Sequence, residues 1–214
     1  MGLGLGTAAL IGYLLGSLSG SLVLGRFRGV DIRGLGSGNA GGTNALRTLG
    51  WRFALAVIAI DLGKGALAAL LAPVIVTGLF PDLPATPMLA AVAGFFAVIG
   101  HVWPLYFGFS GGKGAGTAVG AIAVLAPWCI LPLLLVWIVT IIGTGYVGLA
   151  TILAGITLVP AMWLLGPDPL PTSLGLLAIV LAITLVFTHR SNLARLRDGS
   201  ENRFEQARLL KRRR

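Results

Sequence analysis

The side chains best suited to chemistry fall into three short polar stretches of a very apolar chain. The middle one, Phe109-Ser110-Gly111-Gly112-Lys113-Gly114, sets one lysine among glycines. Glycines let a backbone approach an anion closely with its N–H groups uncovered, and the lysine adds positive charge. That pattern predicts a phosphate-bearing ligand. The first stretch, Gly36-Ser37-Gly38-Asn39-Ala40-Gly41-Gly42-Thr43-Asn44 followed by Arg47, offers a hydroxyl, two amides and a guanidinium. A guanidinium matches phosphate bidentately. The third holds His189, Arg190 and Asn192, then Gly199-Ser200-Glu201-Asn202-Arg203. On a continuing helix His189 and Asn192 are i, i+3 and share a face. A histidine there could bind phosphate or accept a proton.

Two look-alikes are set aside. Gly36-x-Gly38-x-x-Gly41 formally matches the dinucleotide fingerprint, with Asp61 twenty positions after Gly41. That motif needs a strand before it and a βαβ unit around it. Here an apolar membrane-type run precedes it, and Asp61 lies inside another. The lysine loop resembles a P-loop, but Phe107 stands at the first glycine position and Gly114 replaces the Ser/Thr that would hold Mg²⁺. The expectation is an anion loop, not a nucleotide site. If Gly114 opens a helix, that helix's first amides and dipole also face the anion. Two histidines, one cysteine (Cys129) and no paired acidic cluster predict no metal site and no cofactor. His101 reads as a helix-end histidine bonded to a carbonyl.

The elements that must position these residues are membrane spans. The chain is 56% hydrophobic and 11% charged, with mean hydropathy +0.92. A soluble domain carries about 25% charged residues. The net charge of +9 is explained by topology, so no nucleic-acid partner is expected. Lys and Arg fall at 26–52, at Lys64, at Lys113 and at 190–214, whereas the polar breaks at 80–87 and 166–173 contain Asp82 and Asp168 but no basic residue. The positive-inside rule places the basic segments in the cytoplasm. Spans are predicted over 3–25, 53–79 and 87–107, with a short interfacial helix at 43–50. The first run has no basic residue before it and is long enough to span, which argues against a cleaved signal peptide. Residues 114–190 begin and end on the inner side, so they must hold an even number of spans. Four fit at 114–126, 128–142, 146–165 and 174–189 if the chain breaks at Pro127 and Pro132. The expected fold is therefore an all-α integral membrane protein with seven transmembrane helices, two of them short, N-terminus outside and C-terminus cytoplasmic. Residues 1–214 form one transmembrane domain, and the basic tail at 208–214 either binds anionic headgroups or is solvated. Asp61 and Lys64, i, i+3 on the second span, lie roughly 12–17 Å of helix rise beyond Arg52. Ionisable residues that deep are usually paired or functional; this pair is read as neutralising itself and fixing helix packing, with a secondary role in supporting the site.

Under this topology the islands 36–47, 101–117 and 189–203 face the cytoplasm together. Their motifs resemble one family, the bacterial acyl-phosphate–dependent glycerol-3-phosphate acyltransferases of the PlsY type. The first motif is Gly36-Ser37-Gly38-Asn39-x-Gly41-x-Thr43-Asn44-x-x-Arg47. The second is Gly100-His101-x-Trp103-Pro104 leading to Phe109-x-Gly111-Gly112-Lys113-Gly114. The third is His189-Arg190-x-Asn192-x-x-Arg195-Leu196 with Gly199-x-Glu201, and Asp61-x-x-Lys64-Gly65 also fits. The departures are small: Gly42 stands where Ala or Ser is usual, Gly114-Ala115-Gly116-Thr117 replaces Gly-Val-Ala-Thr, and Leu193 replaces Ile.

The resemblance implies transfer of a fatty acyl group from acyl phosphate to the 1-hydroxyl of sn-glycerol 3-phosphate, the first step of phospholipid synthesis, in the bacterial cytoplasmic membrane with the site on its inner face. It implies catalytic roles for Ser37, Arg47, Lys113, His189 and Asn192. Substrate binding falls to Gly38, Asn39, Thr43, Asn44, Gly111, Gly112 and Gly114, and structural support to Asp61, Lys64 and Glu201. Partners are the two substrates, membrane lipid and, by extension, the enzyme that supplies acyl phosphate; oligomeric state is left open. The proton acceptor has three candidates: a base for a nucleophilic Ser37, His189, or an oxygen of the acyl phosphate itself, which is preferred. Neither histidine starts the His-x-x-x-x-Asp motif of thioester acyltransferases, because Tyr106 and Ala194 stand at the aspartate position. The alternative reading is a membrane transporter of an organic phosphate. It would need a route to the outer face, whose breaks carry Asp82 and Asp168 as their only charged residues.

Overall fold

Runs of Leu, Ile, Val and Ala with few charges satisfy their backbones internally by forming helices, the solution lipid demands of a single segment. The computed structural model of the protein describes residues 1–166 and 172–204, and no strand occurs among the described residues. Asp168, Glu205 and the 208–214 tail lie outside the described residues. The chain divides into two compact units, Met1–Pro127 and Trp128–Arg214. The first contains α1 (Gly2–Gly16), α2 (Gly20–Phe27), α3 (Gly42–Leu49), α4 (Trp51–Leu79), α5 (Pro87–Val102) and α6 (Ala115–Leu125). The second contains α7 (Ile130–Thr144), α8 (Val147–Leu165), α9 (Ser173–Thr188) and α10 (Arg190–Arg197).

Among the described residues four helical spans are long and apolar enough to cross a membrane, or six if the bent pairs α1–α2 and α9–α10 each count as one. At 11 residues, α6 is shorter. Large apolar side chains stay on the outside of these helices, among them Val74, Leu131, Val139, Leu164 and Ile183. Such a surface suits hydrocarbon and not water.

Small residues let the first unit close. A methyl on Gly12 or Gly16 of α1 would overlap the carbonyls of Ala93 or Ala97 on α5, and one on Gly100 would overlap the Tyr13 carbonyl. On the other side, Gly65 of α4 lies against the Thr117 carbonyl of α6, and Gly120 of α6 against the Leu62 carbonyl of α4. Backbones in such contact gain dispersion where lipid supplies no hydrophobic drive between helices.

Three sequence expectations are corrected in detail. The first apolar run is two helices, bent by 42° at Ser17-Leu18-Ser19. The predicted span over 87–107 is borne out, made of α5 to Val102 and a separate 3₁₀ turn at 105–107. The break after α6 is one turn at Pro127–Cys129. Pro132 does not break the chain; it sits in the first turn of α7, where its missing N–H costs nothing. The helix does not continue through His189: α9 and α10 meet there at 51°. The expected interfacial helix at 43–50 is α3, one residue earlier at each end.

Candidate active site

In the first unit the Ser37 loop hangs between two buried apolar anchors, Ile32 and Ala40, which pack with Leu22, Ala45, Phe53, Ala54 and Val57. Asn44, 1% exposed on α3, shapes everything between them. Its Nδ2 donates to the carbonyls of Leu35 (2.9 Å) and Ile32 (3.3 Å), and its Oδ1 accepts the Ser37 N–H (3.0 Å). Gly36, at φ +56°, has no side chain because Asn44 Oδ1 and Thr48 occupy that space. Asn44 is thus committed to the loop's backbone, and Ser37 and Gly38 are exposed at its tip with Asn39 half-buried. Thr43 and Arg47 are i, i+4 on α3, with Arg47 exposed in its last turn. The unusual Gly42 is matched locally: a methyl there would meet Ile58 Cγ1 at 2.6 Å.

The lysine loop is tied to the end of α5. The Gly111 N–H donates to the Val102 carbonyl and the Gly112 N–H to the His101 carbonyl, both at 3.1 Å. These are carbonyls a helix C-terminus leaves unpaired. The expectation that these glycines offer uncovered amides to an anion is therefore corrected: both N–H groups are spent on α5. What the glycines supply is closeness. A methyl on Gly112 would overlap His101 Nε2 and crowd the Ala40 carbonyl, so this loop lies directly against the Ser37 loop. Gly114, at φ +85°, precedes α6 and puts half-buried Lys113 at that helix's N-terminus. The first N–H groups of α6 have no intrahelical partner and carry the positive end of its dipole.

A residue that sequence reasoning missed joins the two loops. Arg33 pairs with Asp31 (Nη2–Oδ2 2.7 Å) and donates through Nη1 to the carbonyls of Phe107 (2.8 Å) and Ser110 (3.1 Å). Between those carbonyls Phe109 holds φ +56°, a left-handed conformation rare for a bulky residue. The guanidinium grips the chain on both sides of it. Arg33 also holds the Asp31 carboxyl below the usual carboxylate range, through the side-chain hydrogen bond first and the backbone N–H second. Asp31-x-Arg33 just before the Gly36 motif was the available signal. On the other side, Ser17 Oγ accepts the Leu105 N–H (3.2 Å) and Tyr13 donates to the Trp103 carbonyl (2.8 Å).

Behind this site sit Asp61 and Lys64, 3.0 Å apart and both 4% exposed. They do more than neutralise each other. Lys64 Nζ donates to the Gly16 carbonyl (2.9 Å) and lies 3.3 Å from the Leu18 carbonyl; Asp61 Oδ1 accepts the Gly20 N–H (3.1 Å). The ion pair thereby satisfies the backbone freed by the α1–α2 break. His101, read as bonded to a carbonyl, instead places Nδ1 2.7 Å from Lys64 Nζ and 3.3 Å from Asp61 Oδ1.

In the second unit His189 is the joint between α9 and α10, and its Nδ1 donates to the Leu185 carbonyl (2.8 Å). A carbonyl only accepts, so Nδ1 carries the proton. Glu201 takes the Asn192 amide on Oε1 (2.6 Å) and Arg195 Nε on Oε2 (2.7 Å). Gly148 of α8 lies against the Asn192 side chain, and Arg203 Nε donates to Tyr146 Oη (2.6 Å), folding residues 201–204 back onto the α7–α8 turn. Among the described residues no group of His, Cys, Asp and Glu could hold a metal.

The sequence profile of the family described as glycerol-3-phosphate acyltransferase matches residues 6–199. A glycerol-3-phosphate acyltransferase of Shouchella clausii is 43% identical over 199 residues, 91% of this chain and 93% of the relative. One of Chlorobaculum parvum is 40% identical over 220 residues, 90% and 93% of the two chains. The fold matches a crystal structure of PlsY, an integral membrane glycerol 3-phosphate acyltransferase in its glycerol 3-phosphate form, with TM-score 0.80 and 35% identity over 92% of this chain and 94% of that one. The lysophosphatidic acid form of PlsY matches with TM-score 0.78 and 33% identity, over 94% and 96%. With one profile spanning most of its length and relatives this similar across nine-tenths of it, the chain belongs to the glycerol-3-phosphate acyltransferase family.

Proposed function

We propose that the protein transfers a fatty acyl group from acyl phosphate to the 1-hydroxyl of sn-glycerol 3-phosphate, giving lysophosphatidic acid and inorganic phosphate. The observation that carries this reading is the locking of the Ser37 loop against the lysine loop by Arg33 and Gly112. Those loops carry the Ser37 hydroxyl and Lys113, the latter at a helix N-terminus, and α3 carries Arg47. Both substrates are anionic, and Arg47, Lys113 and the first amides of α6 offset charge that would otherwise repel them. The same donors suit the oxyanion of a tetrahedral intermediate.

The 1-hydroxyl oxygen bonds to the acyl carbon, the bond from that carbon to the phosphate oxygen breaks, and phosphate leaves. The hydroxyl proton passes to a phosphate oxygen of the acyl donor. Holding an alcohol beside an already activated acyl group supplies much of the rate. By motif, His189 and Asn192 orient glycerol phosphate; the proton on His189 Nδ1 is held by Leu185, which fixes the ring for such a role. We further propose seven spans with α6 as a short one, the N-terminus outside, the C-terminus cytoplasmic and the site on the inner face of the bacterial cytoplasmic membrane. The described spans and the placement of basic residues support this.

The test is purified protein in detergent with acyl phosphate and glycerol 3-phosphate. Lysophosphatidic acid is the expected product; no product, with anion uptake in vesicles, would establish the transporter reading instead. For the proton acceptor, His189→Gln is expected to raise KM for glycerol 3-phosphate with less than about a tenfold loss in kcat. A general base would cost roughly 10²–10⁴-fold in kcat.

A further inference from the structure

His101 has no assigned role in the reaction, yet it lies between the buried ion pair and the lysine loop. On one edge of its ring, Nδ1 is 2.7 Å from Lys64 Nζ and 3.3 Å from Asp61 Oδ1. On the other edge, Nε2 lies against Gly112, with the Ala40 carbonyl on the same side of that glycine. The ring is 3% exposed.

Two neighbours compete for Nδ1: Asp61 Oδ1 at 3.3 Å would accept a proton there, Lys64 Nζ at 2.7 Å needs a lone pair, and the shorter contact points to the lone pair. An ammonium has donors and no acceptor, so a 2.7 Å approach to Nδ1 requires a bare lone pair there. Asp61 and Lys64 balance one another, which keeps the lysine charged and the imidazole neutral. A protonated ring would set two cations face to face. The proton of the neutral ring therefore sits on Nε2, directed at Gly112 and the Ala40 side. His189 is the opposite case, with its proton on Nδ1 toward Leu185.

We propose that His101 is a positioning residue for acyl transfer. Held as the Nε2–H tautomer by Lys64, it braces Gly112, and with it Lys113, against the Ser37 loop. The kinetic part of this inference rests on the acyltransferase reading; the tautomer does not. The chain has two histidines, so ¹⁵N-histidine labelling yields two ring signatures, and His101→Gln removes one and assigns both. The expected result is a bare Nδ1 on His101 and a protonated Nδ1 on His189. A protonated Nδ1 on His101 would overturn the proposal whatever the activity.

Kinetics form the second readout. His101→Asn can still accept from Lys64 but does not reach the position of Nε2, whereas His101→Gln does. The Asn variant is expected to raise KM for glycerol 3-phosphate about tenfold at nearly unchanged kcat, a loss of binding geometry, and the Gln variant to restore it. Equal KM values for both variants and wild type, or a fall in folded protein as the sole effect, would sink the positioning role. Wild type that makes no lysophosphatidic acid would sink the acyltransferase reading, separately from the tautomer.

Discussion

Among the described residues each unit buries one carboxylate, and the two are handled differently. Asp61 in the first unit takes its partners from inside the bundle: a lysine, a histidine and a backbone N–H at a helix break. Glu201 in the second takes an asparagine from the same joint and an arginine that is 31% exposed. Neither member of the Asp61–Lys64 pair can exchange its partner for water, whereas the partly exposed Arg195 can. The first arrangement therefore fixes backbone geometry, and the second fixes a local turn at modest cost.

The largest effect that tests this contrast is Lys64→Met. It strips the counter-charge from a buried aspartate, and the loss in stability should be about 3–5 kcal/mol, read from thermal unfolding in detergent. A loss no larger than that of Glu201→Gln would erase the contrast. Asn44→Ala comes next. It leaves the Ser37 N–H without its acceptor and takes the second donor from the Ile32 and Leu35 carbonyls, which keep the N–H groups of Leu35 and Gly38, a cost of about 1–3 kcal/mol. Activity should fall further than stability, because Ser37 loses its support; an active, merely less stable variant would show that the loop holds without it. Glu201→Gln should cost about 1 kcal/mol, the net worth of one hydrogen bond, since the amide still accepts from Asn192 and the partly exposed Arg195 can turn to water.

Smallest of all is the Asp31–Arg33 pair, which is exposed and screened. Its carboxyl titrates below the usual carboxylate range, so the pair's contribution is complete above that range and is lost as pH falls through the lowered value. Asp31→Asn should remove that acid-dependent increment from a series of melting temperatures. An unchanged acid limb would show that Arg33 holds Phe107 and Ser110 without help from Asp31.

Hydropathy and charge made the helices visible in the sequence, because lipid leaves an apolar run no other structure. The polar motifs were visible for a similar reason: Ser37, Arg47, Lys113 and His189 stand in surroundings that otherwise reject polar groups. What stayed hidden depended on distance along the chain. Lys64 and His101 are 37 positions apart, and Arg33 reaches across more than 70 to hold Phe107 and Ser110. Neither spacing belongs to a helix period, so no local pattern announces it. The break at Ser17–Ser19 was concealed because glycine and serine in an apolar run fit close packing as well as a kink. The glycine loop misled in the opposite direction. Its composition suggested amides open to an anion, while the folded chain gives those of Gly111 and Gly112 to the end of α5.

The helix break answered by a lysine has a consequence for how the protein is made. Until residues 61–64 enter the bilayer, the carbonyls at Gly16 and Leu18 and the N–H of Gly20 have no partner in lipid. The bend of the opening segment is therefore expected to settle only once α4 lies beside it. During synthesis its final shape is set by a segment translated forty residues later. Nascent chains halted before residue 61 should protect a longer stretch from protease at this end than chains halted beyond α4.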